Sequence, residues 1–207
     1  MPRNSDDVPA HPGRKLTEQE FVDWCTPKTW AEWVDGEVII ISPVNTRHGK
    51  LFYFLFRLFG DFVEEHELGE LYAEPVQIRF ARLRRRRAPD FFFVSAARLK
   101  TIKEQHIEGG PDLIVEIVSP DSQSRDRREK YLEYESMGVR EYWIVDPINE
   151  TVEAYALGRN RKFTLIEEEQ AVIHSIVLPR FYLKPEWLWQ SRRPKVSRLL
   201  REMARTR

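Results

Sequence analysis

The sequence predicts an α/β fold: a mixed β-sheet flanked by helices, with an additional β-hairpin region near the N-terminus. Three observations predict it. Leu113 to Val118 and Glu141 to Val145 are short, almost wholly apolar runs rich in β-branched residues, as in strands buried on both faces. A helical pattern lies between them, with Tyr131, Tyr134 and Met137 on neighbouring turns and Gly138 at the stop position, so strand, helix and strand form a right-handed crossover unit. Farther upstream, Leu51, Phe52, Leu55, Phe59, Phe62 and Val63 recur at three- and four-residue spacing, as in a long helix that covers a sheet face.

Composition sets the bounds. A chain of 207 residues with 42% hydrophobic content suits one compact domain. We expect residues 1–15 to be a disordered tail, 16–190 the folded domain, and 191–207 a basic C-terminal tail. The formal net charge is zero, so no global field favours a polyanion and any nucleic-acid contact must come from local patches. The single cysteine, Cys25, excludes an internal disulfide and a cysteine metal cluster, and beside Trp24 it reads as a small packed apolar group. No signal-peptide core and no apolar run near membrane-spanning length is present, so no membrane association and a soluble, cytoplasmic protein are expected.

In chain order, Thr17 and Glu20 form a capping box that opens a helix carrying Phe21 and Trp24 inward. Asp35-Gly36 is a strong hairpin signal between Trp33-Val34 and the strand Val38 to Ile41. The long helix is expected to begin at His48, and its closely spaced Phe52, Tyr53, Phe54 and Phe56 offer more apolar surface than one sheet face requires. A symmetric homodimer is therefore expected. Leu71 to Phe80 alternates as one strand.

Arg84, Arg85, Arg86 and Arg87 follow. Four consecutive arginines are not expected in a core strand, which leaves a solvated hairpin tip or a loop whose guanidiniums contact phosphate. Phe91 to Val94 is another strand apolar on both faces, with Asp90 at its mouth. Residues 95–109 read as a loop with a helical turn. After Asp146-Pro147, Thr151 to Ala156 and Arg161 to Ile166 alternate as two strands, and Ile173 to Leu178 reads as a third. Trp187 and Trp189 anchor the C-terminal segment, and the basic stretch beyond Arg192 reads as a helical, solvated face with some attraction for phosphate.

The chemistry rests on Asp90, Glu116 and Lys130. Glu116 interrupts a buried apolar strand, where a carboxylate costs several kcal/mol unless a cation, a metal or hydrogen bonds receive it. Two carboxylates from neighbouring strands make a hard-oxygen site suited to Mg²⁺ or Mn²⁺. Asp126, Lys130 and Tyr134 share one helix face, and that face places Lys130 beside the strand carrying Glu116. A lysine there can orient or help deprotonate an attacking water and stabilise charge in the transition state, which is what phosphodiester hydrolysis requires. A purely structural pair between Glu116 and Lys130 is the bland alternative.

Pro89-Asp90, the run Pro111 to Pro120 around Glu116, the segment Asp126 to Lys130 and the run Glu141 to Pro147 together resemble the Uma family of restriction-endonuclease-type proteins, a former domain of unknown function. That family falls within the PD-(D/E)xK nuclease superfamily. The likeness runs from about Thr17 to Leu183 and includes Val34 to Glu37 and His48-Gly49. It implies a restriction-endonuclease-like fold, a metal-dependent endonuclease of DNA, and metal ligands at Asp90 and Glu116. The superfamily pattern has lysine two residues after the glutamate, where this chain has Val118, so the resemblance implies that Lys130 supplies the basic group from the helix. It further implies a supporting acidic role for Glu37, and either a site role or a helix-start role for His48. A catalytically silent relative that binds nucleic acid or a protein partner is the alternative of a different class.

Overall fold

The computed structural model describes residues 9–119 and 125–205, with the side chains of 125–127 outside that description. Helix α1 (Glu18–Trp24) begins at the expected capping box, in which Thr17 accepts from the Glu20 backbone N–H and Glu20 accepts from that of Thr17. Strands β1 (Ala31–Val34) and β2 (Glu37–Ile40) form the hairpin around Asp35-Gly36, both residues having positive φ, as a tight turn of this kind requires. The tail expected through residue 15 is anchored well before that point. Trp24 Nε1 donates to Ala10 O at 3.2 Å, and His11 bonds to the Val38 carbonyl at 3.1 Å.

Helix α2 (Thr46–Glu65) starts two residues earlier than expected because Asn45, not His48, is the cap, its side chain accepting from the His48 N–H. The expected single strand from Leu71 to Phe80 is two strands in two sheets, β3 (Gly69–Ala73) and β4 (Gln77–Phe80). Pro75 lies at the break, where it has no N–H to offer a ladder.

The next three strands are β5 (Arg85–Arg87), β6 (Phe91–Ser95) and β7 (His106–Glu108). The crossover pair is β8 (Leu113–Ile117) and β9 (Glu141–Asp146), which run parallel and are linked through α3 (Tyr131–Met137), closed by Gly138 in the left-handed region. Arg125–Lys130 is helical as well, with wider π-type turns. Ser119-Pro120-Asp121-Ser122 reads in the sequence as a strand end that supplies helix-start residues; of these, residues 120–122 lie outside the described residues.

Strands β10 (Thr151–Leu157) and β11 (Phe163–Leu165) continue that sheet antiparallel. The strand expected over Ile173 to Leu178 is only β12 (Ile173–His174), paired with β13 (Tyr182–Leu183). Helices α4 (Glu186–Trp189) and α5 (Val196–Arg205) close the described chain. None of the described helices is long and apolar enough to cross a membrane.

Two mixed sheets result, β2-β1-β5-β4-β7 and β11-β10-β9-β8-β6-β3, so the fold is the mixed α/β class that the sequence predicts. Alternation along β8 divides the core. Leu113, Val115 and Ile117 pack with α2 and the C-terminal segment, whereas Ile114 and Val118 pack with Tyr134, Tyr142 and the five-stranded sheet. The apolar face of α2 is covered by the chain itself, Phe59 and Phe62 meeting Phe181, and Leu199 and Met203 of α5 joining the same cluster. Of the four aromatics from which a homodimer is expected, Phe54 is buried, Phe52 and Phe56 are partly buried against this cluster, and Tyr53 is exposed. The basic C-terminal stretch is likewise docked, with Val196, Leu199 and Met203 buried and Arg198, Arg201 and Arg205 outward.

Candidate active site

Antiparallel pairing of β6 with β8 sets Phe91 opposite Val115, which brings Asp90 level with Glu116 at the ends of two adjacent strands. Both are buried, at 7% and 3% exposure. The Asp90 carboxylate is held by two neighbours. Its Oδ2 accepts from the Ile117 N–H at 2.7 Å, and its Oδ1 lies 3.0 Å from His48 Nε2, which is also 3.1 Å from the Ile117 carbonyl. His48 thus occupies the first turn of α2 as a partner of Asp90 and not as a cap. Burial opposes charging its ring, yet Asp90 and the Ile117 carbonyl hold its pKa above the ordinary imidazole value.

Lys130 Nζ donates to Glu116 Oε1 at 2.8 Å, and the Tyr134 hydroxyl donates to the same oxygen at 2.8 Å. The one-turn spacing of Lys130 and Tyr134 therefore delivers both to one carboxylate, as their shared helix face predicts. Burial, then the Glu116 charge, pushes the Tyr134 phenol well above its ordinary pKa, so it stays a donor at every working pH. The side chain of Asp126, the third member of that face, lies outside the described residues.

Two acidic residues absent from the sequence reading join the cleft. Glu32, on β1, lies 3.9 Å from Lys130 Nζ and accepts from the Ala88 N–H and from Arg87. Burial opposes its ionisation, but Lys130 and Arg87 hold its pKa below the usual carboxylate range. Glu74, at the break between β3 and β4, donates its backbone N–H to the Asp90 carbonyl at 3.1 Å. Burial, then the Asp90 charge, pushes its carboxyl up to about 7. The available signal for Glu32 was the one used for Glu116, a carboxylate inside an apolar strand, here Ala31-Glu32-Trp33-Val34. Glu32, Glu74, Asp90, Glu116, Lys130 and His48 all line one cleft of about 450 Å³.

Glu37 is not brought into this cleft. It is exposed at the start of β2 and pairs with Lys15 at 3.3 Å. The arginine run also departs from expectation, because Arg85–Arg87 is a strand of the five-stranded sheet. Arg87 is fully buried, with Glu32 at 2.8 Å on one side and Glu133 at 2.8 Å on the other. Arg86 pairs with Glu18, and Arg85 with Asp35 and Glu133. Carboxylates from four remote elements thus make an inward arginine strand tenable, since buried guanidiniums need paired acceptors. Arg84 alone stays exposed, in the left-handed conformation that ends a short 3₁₀ turn.

The fold and the cleft define a mixed α/β protein with an acid-lined, lysine-bearing pocket at the ends of two central strands. The chain belongs to the Uma2 family, described as "Putative restriction endonuclease", whose model matches residues 18–186. Membership in that family supports a nuclease function. A curated relative, the uncharacterized protein sll1609 of Synechocystis sp. (strain ATCC 27184 / PCC 6803 / Kazusa), is 24% identical over 156 residues, covering 73% of this chain and 86% of the relative. A crystal structure of a "putative nuclease belonging to DUF820" from Anabaena variabilis ATCC 29413 shares the fold, with a TM-score of 0.70 at 18% identity. The match covers 84% of this chain and 97% of that one.

Proposed function

We propose that the cleft is the active centre of a cytoplasmic, Mg²⁺- or Mn²⁺-dependent endonuclease of the PD-(D/E)xK type that hydrolyses phosphodiester bonds of DNA. The observation that carries this reading is the 2.8 Å contact between Lys130 and Glu116, which restores a lysine beside the strand-borne glutamate although Val118 occupies the usual lysine position. Asp90 and Glu116 are the proposed metal ligands, and Lys130 is the proposed catalytic cation.

The donor set fits a hard divalent ion. Four carboxylates and the Ile117 residue line the cleft with no thiol among them. Among the described residues no three of His, Cys, Asp and Glu are already gathered as a cage. Mg²⁺ usually takes one or two carboxylates and completes its shell with water and substrate phosphate oxygens, and Asp90 and Glu116 would be those carboxylates here. When bound, such an ion supplies positive charge to the phosphate and lowers the pKa of water.

The chain's own residues do the rest. The Ile117 N–H and His48 fix the Asp90 carboxylate, so its direction is set before a substrate arrives. Tyr134 shares Glu116 with Lys130 and keeps that carboxylate oriented. Lys130 Nζ, 2.8 Å from Glu116 and 3.9 Å from Glu32, can orient the attacking water or meet charge that develops on the phosphate. The test is cleavage of single- and double-stranded DNA by the wild type with Mn²⁺ and with EDTA, beside Asp90→Asn. Metal-dependent cutting abolished in Asp90→Asn is the expected result. No cutting of any DNA or RNA by the wild type would instead make the protein a silent relative that binds without reacting.

A further inference from the structure

Beside the cleft runs a second concavity of about 730 Å³, between the first three turns of α2 and residues 193–197 ahead of and into α5. Lys50, Arg57, Arg193 and Lys195 line it, together with Tyr53, and no described carboxylate does. This concentration of cations is local, because the whole chain has zero formal net charge. Among the described residues, Lys50, Arg193 and Lys195 form no ion pair, whereas Arg57 is tied to Asp61 at 3.0 Å and Arg47 to Glu150 at 2.7 Å.

The groove and the cleft meet at the start of α2, where Thr46 lines the one and its neighbour Arg47 lines the other. Arg47, Lys50, Tyr53 and Arg57 recur at three- and four-residue spacing on one face of that helix. At 1.5 Å per residue this row is about 15 Å long. Arg193 faces it from the other wall, its Nε anchored on the Leu188 carbonyl at 3.0 Å. Burial, then the nearness of Arg47, holds the Arg193 guanidinium below its ordinary pKa. Arg198, Arg201 and Arg205 extend the cationic surface along the outer face of α5.

We infer that this groove carries the sugar-phosphate backbone of the nucleic acid that enters the cleft. The inference rests on the proposed nuclease function and adds to it the path of the substrate. Lys50 on α2 and Arg193 and Lys195 on the facing wall, which form no ion pair among the described residues, make sequence-independent contacts with successive phosphates, with counterion release as the driving force. The Tyr53 ring, 64% exposed and with the Arg57 guanidinium 5.9 Å from its centroid, offers a face for a base that leaves the stack.

Fluorescence anisotropy of a short labelled duplex and of its single strand, in EDTA so that nothing is cut, tests the inference across a salt series. Two variants are needed: Lys50→Gln/Arg193→Gln/Lys195→Gln, and Lys50→Glu/Lys195→Glu, which leaves the anchored Arg193 in place. Each variant should melt near the wild type and bind at least roughly tenfold more weakly. For the triple variant the slope of log K against log salt should fall by about 2–3, since each phosphate contact on a duplex contributes about 0.9. A wild type that binds and cuts while both folded variants bind equally well, with unchanged slope, would overturn the groove and leave the nuclease reading intact. A wild type that binds through the groove yet cuts nothing with metal present would keep the groove and overturn the nuclease reading. A wild type that binds no nucleic acid at low salt would overturn both.

Discussion

Lys130 Nζ lies 2.8 Å from Glu116 Oε1, and both side chains are buried although a helix supplies one and a central strand the other. A lysine and a glutamate so placed neutralise each other, and they also put a cation at the wall of a cleft lined by Asp90. The two roles are separable because stability and rate respond differently to substitution.

Tyr134→Phe removes one of the two described donors to Glu116 Oε1 while leaving Lys130 in place. The expected loss of stability is about 1–2 kcal/mol, the range for an unsatisfied buried acceptor that keeps a second partner. Cleavage should also slow, with the metal requirement unchanged. Denaturant melts beside initial rates at saturating metal would check both, and a variant as fast and as stable as the wild type would remove Tyr134 from the site.

Glu32→Ala takes one carboxylate from the fully buried Arg87 and leaves Glu133. Breaking a buried pair outright typically costs about 3–5 kcal/mol, and the retained partner should lower this to about 2–3. Urea denaturation reads the value directly. A change below about 0.5 kcal/mol would mean that Arg87 is satisfied without β1.

Cys25 provides a pH-dependent check remote from the cleft. Burial pushes its thiol up to about 11, although the nearby Arg86 acts in the opposite direction. The thiol form therefore persists through pH 8, and alkylation there should run roughly 100-fold slower than for an ordinary cysteine of pKa about 8.5. Reactivity should climb as pH approaches 11. Fast iodoacetamide labelling at pH 8 with the fold intact would contradict this assignment.

Much of this arrangement was readable in advance wherever local patterns decide it. Glu116 stood out as a charge inside an apolar strand, and helix spacing alone put Lys130 and Tyr134 on one side. The capping box at Thr17 and the Asp35-Gly36 hairpin followed from residue chemistry within a few positions. What escaped depends on partners far away in sequence. The arginines look solvent-bound until Glu18, Glu32, Asp35 and Glu133 arrive from other elements. Glu74 looked like part of a continuous strand, and only the switch of sheets at Pro75 turns it towards Asp90. Glu37 followed the resemblance rather than the register of the hairpin, and pairing of Val34 with Glu37 next to the turn keeps it at the far end.

Metal binding separates a hydrolytic centre from a self-satisfied ion-pair cluster. Calorimetric titration of Mg²⁺ or Mn²⁺ into the wild type should give one site, lost or weakened at least roughly tenfold in Asp90→Asn and in Glu116→Gln. Saturating metal should raise the wild-type melting temperature by linkage and leave that of either variant nearly unmoved. Equal binding by all three proteins would remove these two carboxylates as ligands.

The most direct measurement is the cleavage rate of Lys130→Ala and Lys130→Arg with Mn²⁺, taken at a temperature where melts show both variants folded. Lys130→Ala should be less stable by up to about 3–5 kcal/mol, since Glu116 loses the ammonium 2.8 Å from its Oε1, to which Tyr134 still donates. Its rate when folded should fall roughly 10²–10³-fold, as for the loss of one positioned group that meets transition-state charge. Lys130→Arg keeps the charge and should recover much of the stability, but its planar fork cannot reproduce a point ammonium, so the rate should stay low. A folded Lys130→Ala that melts earlier yet cuts as fast as the wild type would contradict the account and leave Lys130 as the structural counter-ion of Glu116.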